Sequence, residues 1–280
     1  MHTTDSWNVA FIGGGNMARG LLGGLLARGF DPARITVTAA TAATRSALAT
    51  DLGVRVSDDS LAAIAGARVV VLAVKPQVMG DVVRAMAAGL RASRPLVISV
   101  AAGITAGQLQ QWIGEGVPVV RSMPNRPALI GAGATGMFAD ASVAAADRAL
   151  ATELLGASGL ALWVEKESDI DLVTALSGSG PAYFFRLAEL MAEAAIAEGL
   201  DPAVARQLAA STLAGAGRMV AAESAPDLAA MRAAVTSRGG TTAAALEQFD
   251  AAGLPAAVAA AMRAAAARSR ELALQSGARS

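Results

Sequence analysis

The chain contains no cysteine, which excludes disulfides, thiolate nucleophiles and cysteine-ligated zinc. Histidine is almost missing too. His2, in a polar amino-terminal stretch, is the single example, so neither a histidine general base nor a histidine metal site is expected. Lysine occurs twice, at Lys75 and Lys166, arginine supplies the remaining cationic side chains, and Tyr183 is the one tyrosine. A proton donor must therefore be Lys, Tyr, Ser or Thr, a carboxylic acid or water. Net charge is also absent, with 23 Lys and Arg balancing 23 Asp and Glu. No global field draws the chain to nucleic acid or to acidic membranes. No unbroken apolar run reaches the roughly 18 residues of a membrane span, and MHTTDSWN does not read as a secretion signal. The expectation is a cytoplasmic protein with a small-molecule partner and neither nucleic-acid nor membrane partners.

What is present is apolar and helical. The 280 residues are 54% hydrophobic, much of that alanine, enough for one large or two modest domains. The first half alternates β-branched runs with helical patterns. NVAFI (8–12), ITVT (35–38), VRV (54–56), VVVLAV (69–74), LVISV (96–100) and VPVVRS (117–122) read as strands, with helices over 16–28, through Leu52 and after Pro76. The unbroken apolar VVVLAV suits a central parallel strand covered on both faces. GATGMF (133–138) and LALWV (160–164) extend the set, with a helix over 143–155 between them. Such alternation predicts an α/β, Rossmann-like doubly wound sheet over residues 1–165. Beyond it the pattern is helical, broken at SGSGP (177–181), GLDP (199–202), SAPD (224–227), SRGG (237–240) and GLP (253–255). Residues 166–280 are expected to form an all-α domain of five or six helices.

Gly13-x-Gly15-x-x-Ala18 lies between the first strand and the first helix, the context that a dinucleotide fingerprint requires. Gly13 permits the turn, Gly15 lets backbone approach a pyrophosphate, and Ala18 keeps helix and strand close. The helix start then offers unpaired N–H groups to the phosphates. No Asp or Glu occurs between Asp31 and Asp51, where an NAD site usually places an acid for the ribose. Thr41, Thr44 and Arg45 instead occupy the region of a 2′-phosphate. The cofactor is expected to be NADPH, with NADH possible.

In an open α/β sheet, ligands bind beyond the carboxyl ends of the strands. AVKP (73–76), SVAAG (99–103) and RSMPN (121–125) place Lys75, a run of small residues and Asn125 on that rim. LSGSGPAY (176–183) reads as a Ser/Gly loop opening a long helix, and VTSRGGTT (235–242) as a second glycine cradle before another helix. Successive N–H groups in such a turn make a nest for a carboxylate or phosphate, although a plain helix start fits that stretch equally well.

Taken together, FIGGGNMA, AVKP, SVAAG, MPN-x-P, SGSGPAY and TS-x-GGTT closely resemble the pyrroline-5-carboxylate reductases, in order and spacing, from residue 11 to about residue 250. The resemblance implies an amino-terminal NAD(P)H domain and a carboxy-terminal helical domain that forms a homodimer, with rings of dimers common in the family. It implies cofactor contacts from Gly13, Gly15, Asn16, Met17 and Ala18, from Thr41, from Ser60 where relatives often carry Asn, from Ala73, Val74, Lys75 and Pro76, and from Ala101 and Ala102. Arg45 and Asn125 join this cofactor set from their own positions beside the 2′-phosphate region and on the rim. On the substrate side it points to Glu167, Thr174, Ser177, Ser237, Gly239, Gly240, Thr241 and Thr242. Two positions depart from the family pattern. Arg126 stands where MPNTP would have threonine, and Arg238 where SPGGTT would have proline.

The implied reaction is hydride transfer from NADPH to the C=N carbon of 1-pyrroline-5-carboxylate, the last step of proline biosynthesis. Thr242 would hydrogen-bond the imine nitrogen, the 239–242 amides would hold the carboxylate, and Lys75 would either polarise the site or orient the cofactor. Two other readings compete: a β-hydroxyacid dehydrogenase, which needs a lysine on a helix of the second domain, where this chain has none beyond Lys166, and an NADP-binding paralogue without catalysis.

Overall fold

The computed structural model describes residues 7–277. Eight strands form one sheet: β1 (Val9–Ile12), β2 (Ile35–Thr38), β3 (Arg55–Ser57), β4 (Val69–Leu72), β5 (Leu96–Ser99), β6 (Val119–Met123), β7 (Gly133–Phe138) and β8 (Gly159–Trp163). Their order is β3-β2-β1-β4-β5-β6-β7-β8. All neighbours are parallel except β6 and β7, which run antiparallel. The short 3-10 turn Arg126–Ile130 reverses the chain there. Residues alternate between two cores because strand side chains alternate between faces. Val9, Phe11, Val69, Val71, Leu96 and Ile98 belong to one cluster. Their neighbours Ala10, Ile12, Val70, Leu72 and Val97 belong to the other.

The helices are α1 (Asn16–Ala27), α2 (Ala42–Leu52), α3 (Ser60–Ile64), α4 (Pro76–Ser93), α5 (Ala106–Ile113), α6 (Ala145–Gly156), α7 (Asp169–Val173), α8 (Gly180–Ala197), α9 (Pro202–Ala222), α10 (Leu228–Ala234), α11 (Thr241–Ala251) and α12 (Leu254–Gly277). The starts of α2, α3, α5, α9 and α10 are closed by the side chains of Thr41, Asp59, Thr105, Asp201 and Asp227. Such caps satisfy first-turn N–H groups that would otherwise lack partners. The starts of α1 and α11 carry glycines, Gly15 and Gly240, and no side-chain acceptor.

SGSGP, read from sequence as a loop, is helical here. A π-helical turn, Thr174–Gly178, follows α7 without a break, and Ser179 N donates to Thr174 O at 2.9 Å. The Thr174 hydroxyl donates to Ile170 O at 2.8 Å and the Ser177 hydroxyl to Val173 O at 3.0 Å. Gly178 lies against Met123, whose Cε would be 2.7 Å from a Cβ placed there.

The chain divides into two compact units, one of residues up to Ser179 together with those from Ala265 onward, the other Gly180–Ala264. The strands end at Trp163, close to the expected limit at 165. The compact unit continues past it because α7 packs on β6 and β7. The last turns of α12 belong to the sheet-bearing unit as well.

Within the helical unit almost no apolar side chain is enclosed. Ala192 and Ala205 are buried, whereas Phe184 is 61% exposed, Phe185 64%, Met191 48% and Leu208 55%. A domain of this size is stable only when it encloses a core, and soluble surfaces seldom show so much contiguous apolar area without a partner. Among the described residues no helix is long and apolar enough to cross a membrane.

Candidate functional site

Gly13 follows β1 at φ +107, in a region reserved for glycine, and its amide donates to Thr38 O at 3.1 Å. A Cβ on Gly13 would lie 2.6 Å from Ala73 O and 2.9 Å from Val74 N. Glycine thus lets the β1 turn touch the end of β4, which brings FIGGGNMA and AVKP together at one rim. Gly14 is filled in by its own core, because a Cβ there would meet Leu48 Cδ1 at 2.4 Å. Gly15 faces open space, with no atom within 4 Å of the place a Cβ would take. An exposed glycine ahead of an uncapped helix leaves N–H groups free for a phosphate, and the residues present therefore fit a dinucleotide. Asn16 is exposed, Met17 half-buried and Ala18 buried.

At the β2 end, the Thr41 hydroxyl accepts from Thr44 N at 3.2 Å and shares a hydrogen bond with the Thr44 hydroxyl at 2.8 Å. Arg45 Nη1 donates to Ala39 O at 2.7 Å and Ala40 O at 3.2 Å, and its Nη2 lies 3.2 Å from Asp58 Oδ2. Arg45 is thus folded over the loop rather than extended into solvent. Asp58 enters through the neighbouring strand, since β3 runs parallel to β2 with Ser57 opposite Thr38. The absence of acids between 31 and 51 gave no sign of it. Parallel pairing of the third strand with the second is the signal that could have found it. Ser60 is the first residue of α3, beside the capping residue Asp59.

Lys75 is exposed and sits ahead of Pro76, the first residue of α4. At the next rim, Ala101 N donates to the buried Ser99 hydroxyl at 3.3 Å, and the Ser122 hydroxyl donates to Ser99 O at 2.8 Å. Ala101 is buried and Ala102 exposed. Asn125 is 7% exposed and engaged at both ends of its amide: Nδ2 donates to Ser177 O at 2.9 Å, and Oδ1 accepts Ala134 N at 2.8 Å. Asn125 therefore stitches the π turn to the start of β7.

Glu167, expected at the substrate, is committed to a network that the sequence did not disclose. Its Oε1 accepts Ala106 N at 2.7 Å and lies 3.1 Å from Nη1 of Arg121. Arg121 is 4% exposed, projects from the middle of β6, and also lies 3.9 Å from Asp171 Oδ1. A buried guanidinium requires such partners, because an unpaired buried charge is strongly destabilising. The sequence signal was one arginine inside the apolar run VPVVRS. Arg121, Glu167 and Asp171, with Arg270, line a cleft in the sheet-bearing unit.

In the helical unit, Gly239 has φ +70 and Gly240 N donates to Ser237 O at 3.0 Å. A Cβ on Gly240 would lie 2.4 Å from the Ser237 Oγ. Thr241 and Thr242 are exposed and form the first turn of α11. The Ser237–Thr242 turn therefore presents amides beside hydroxyls, with no side chain capping the helix. Arg238, Arg126 and Tyr183 are exposed.

A mixed, mostly parallel sheet with a glycine-opened turn before its first helix, followed by a helical unit with an uncovered apolar surface, defines a two-domain dinucleotide-binding oxidoreductase. A model of the pyrroline-5-carboxylate reductase dimerisation domain matches residues 167–272, and one described as NADP oxidoreductase, coenzyme F420-dependent, matches 8–103. The pyrroline-5-carboxylate reductase of Pseudomonas aeruginosa is 46% identical over 96% of this chain and 98% of its own. That of Vibrio alginolyticus is 44% identical over 94% and 97%. Among solved structures, a pyrroline-5-carboxylate reductase from Coxiella burnetii superposes with a TM-score of 0.91 at 39% identity, covering 96% of this chain and 99% of that one. A Plasmodium falciparum pyrroline carboxylate reductase with NADP bound gives 0.80 at 25% identity, over 96% and 99%. The chain belongs to the pyrroline-5-carboxylate reductase family.

Proposed function

We propose that the protein reduces 1-pyrroline-5-carboxylate to L-proline with NADPH, as the final step of proline biosynthesis. The carrying observation is two uncapped helix starts that glycines open: one behind Gly13 and Gly15 for the cofactor phosphates, the other behind Gly239 and Gly240 for a carboxylate. Family membership supplies the substrate class, and the NADP held by the Plasmodium falciparum relative supports the choice of cofactor.

NADPH, when bound, supplies the hydride that the C=N carbon accepts; the ring nitrogen gains a proton and becomes the amine of proline. The protein's part is binding, orientation and electrostatics. Gly13, Gly15, Asn16, Met17 and Ala18 hold the pyrophosphate, and Thr41 and Arg45 the 2′-phosphate, with Ser60 near the adenosine ribose. Ala73, Val74, Lys75, Pro76, Ala101 and Ala102 border the nicotinamide. Ser237 and the amides of 239–242 fix the substrate carboxylate, and the Thr242 hydroxyl meets the imine nitrogen. Glu167, Thr174 and Ser177 complete the substrate side and Asn125 the cofactor side, each also held in place by the contacts described above. In the helical unit the exposed apolar side chains are covered by a second copy, giving a homodimer, from which a ring of dimers is built. Residues 1–165 act as the cofactor domain and 166–280 as the substrate and dimerisation domain.

The test is spectrophotometric. NADPH absorbance should fall when pyrroline-5-carboxylate is added, and NADP should not be reduced with 3-hydroxyisobutyrate. Cofactor binding without imine turnover would refute the assignment and leave a non-catalytic NADP-binding protein.

A further inference from the structure

The last turns of α12 grip the loop that borders the proposed nicotinamide position. Gly103, at φ +72, touches them directly: a Cβ there would lie 3.2 Å from the Leu272 Cβ and 3.3 Å from its carbonyl carbon. Gln108 makes a second link. Its Oε1 accepts Thr105 N at 2.8 Å, closing the capping box of α5, while its Nε2 donates to Ala273 O at 3.1 Å. The third is a buried chain of charges. The Ser269 hydroxyl donates to Asp171 Oδ1 at 2.6 Å, Arg121 Nη2 lies 3.9 Å from that oxygen, and Arg121 Nη1 reaches Glu167, which accepts Ala106 N. Ser269 and Asp171 are 5% and 6% exposed, so water competes little for these bonds.

These contacts converge on one stretch, Ala101–Ala106, which lies between the end of β5 and the start of α5 and has no ladder hydrogen bonds of its own. We infer that Ser269 and Gln108 are positioning residues for hydride transfer, holding the carboxy-terminal turns of α12 as a clamp on the loop beside the nicotinamide. The inference rests on the reductase reading given above. It assigns a catalytic consequence to a segment that bears no substrate or cofactor ligand. A loop at a hydride-transfer site must hold the donor and acceptor atoms in a near-attack geometry, and small displacements there cost rate more than affinity.

Two substitutions separate the clamp from general stability. Gln108→Glu keeps an acceptor for Thr105 N but loses the donor to Ala273 O, at a half-buried position. Ser269→Ala removes only the hydroxyl that meets Asp171, and Ser269→Thr restores one. Hydrogen exchange of the 101–106 amides should quicken by about tenfold or more in Gln108→Glu and Ser269→Ala. The value of kcat should fall by about 5–20-fold with KM for NADPH within about twofold of the parent protein, and the isotope effect with 4-deuterated NADPH should rise. Ser269→Thr should recover most of the rate. Unchanged exchange at 101–106, or faster exchange with unaltered kcat and isotope effect, would overturn the clamp. A parent protein that fails to reduce the imine would refute the reductase reading and with it the catalytic role, whereas the exchange measurement, which needs no turnover, tests the clamp on the loop separately.

Discussion

Replacing Asp58 with alanine tests the proposed 2′-phosphate position beside Arg45. In the structure, Arg45 is held by Ala39 O, Ala40 O and Asp58 Oδ2, the last at 3.2 Å. The pair is solvated, with the Arg45 side chain 20% and the Asp58 side chain 74% exposed, so its own worth is only about 0.2–1 kcal/mol. The fold should therefore tolerate the change, with Tm shifting by only a few degrees, about 2 °C or less. Its effect on a 2′-phosphate is larger in proportion. Two unit charges about 6 Å apart in water interact by about 0.7 kcal/mol, and a phosphomonoester carries a charge of about −2. Removing Asp58 thus relieves about 1.4 kcal/mol of repulsion before screening, and salt reduces that to about 0.7–1.4 kcal/mol. Quenching of protein fluorescence by titrated cofactor should show NADPH binding about 3–10-fold more tightly in Asp58→Ala. NADH, which lacks the phosphate, should bind within about twofold of the parent value. Raising the salt concentration should shrink the NADPH gain and leave NADH unmoved. An equal gain for both cofactors, or none for either, would refute the placement of the 2′-phosphate beside Arg45.

Four further outcomes follow from the geometry. Gly13→Ala should cost about 2–6 kcal/mol, from a backbone conformation alanine resists and a Cβ 2.6 Å from Ala73 O, and chemical denaturation together with lost NADPH binding would show it. Thr242→Ala should lower kcat/KM for the imine by about 10–100-fold, the value of one hydrogen bond to a charged group, while NADPH affinity stays near that of the parent. Phe184→Glu, on a helix face shared with Leu187 and Met191, should convert the assembly to monomers by light scattering and lower Tm. Asp140 is held below the ordinary carboxylate range chiefly by the Ser142 hydroxyl, against burial, with Gln110 and the Ser142 amide adding to the effect. A depressed carboxyl contributes stability above its unfolded pKa and loses it as pH falls through the folded value; Ser142→Ala should move the Asp140 titration upward by NMR.

The sheet was readable because its signal is local. VVVL, LVIS and VAFI are apolar on both faces, and only a parallel strand between two helical layers uses such a run. The Gly13 turn was readable for a related reason, since its positive φ and its approach to Ala73 answer to a backbone demand that no other residue meets. The antiparallel β7 was not, because direction follows from a short 3-10 turn whose sequence, RPALI, carries no mark of reversal. The π turn was misread as a loop. Serine and glycine favour breaks in isolation, but here Asn125 takes the Ser177 carbonyl and holds the wider turn in place.

Where partners lie far apart in the chain, single-residue patterns lose their force. Glu167 carries a family resemblance to a substrate residue, yet its Oε1 is spent on Arg121 and Ala106 N, contacts 46 and 61 residues away. Ser269 finds Asp171 across 98 residues, and Gln108 finds Ala273 across 165. None of these residues stands out by type, since serine and glutamine on helices are ordinary solvated positions. Arg121 alone carries a signal in its type that the sequence reading left unused, because a cation in a buried strand must have a counterion. Followed from that single requirement, the partners come in sequence: Glu167 and Asp171 for the charge, Ala106 N for the remaining demand of Glu167, and Ser269 for that of Asp171. The same chain of demands leads from a buried arginine in the sheet to the loop proposed to border the nicotinamide, and so would give a residue with no ligand of its own a measurable part in the reaction.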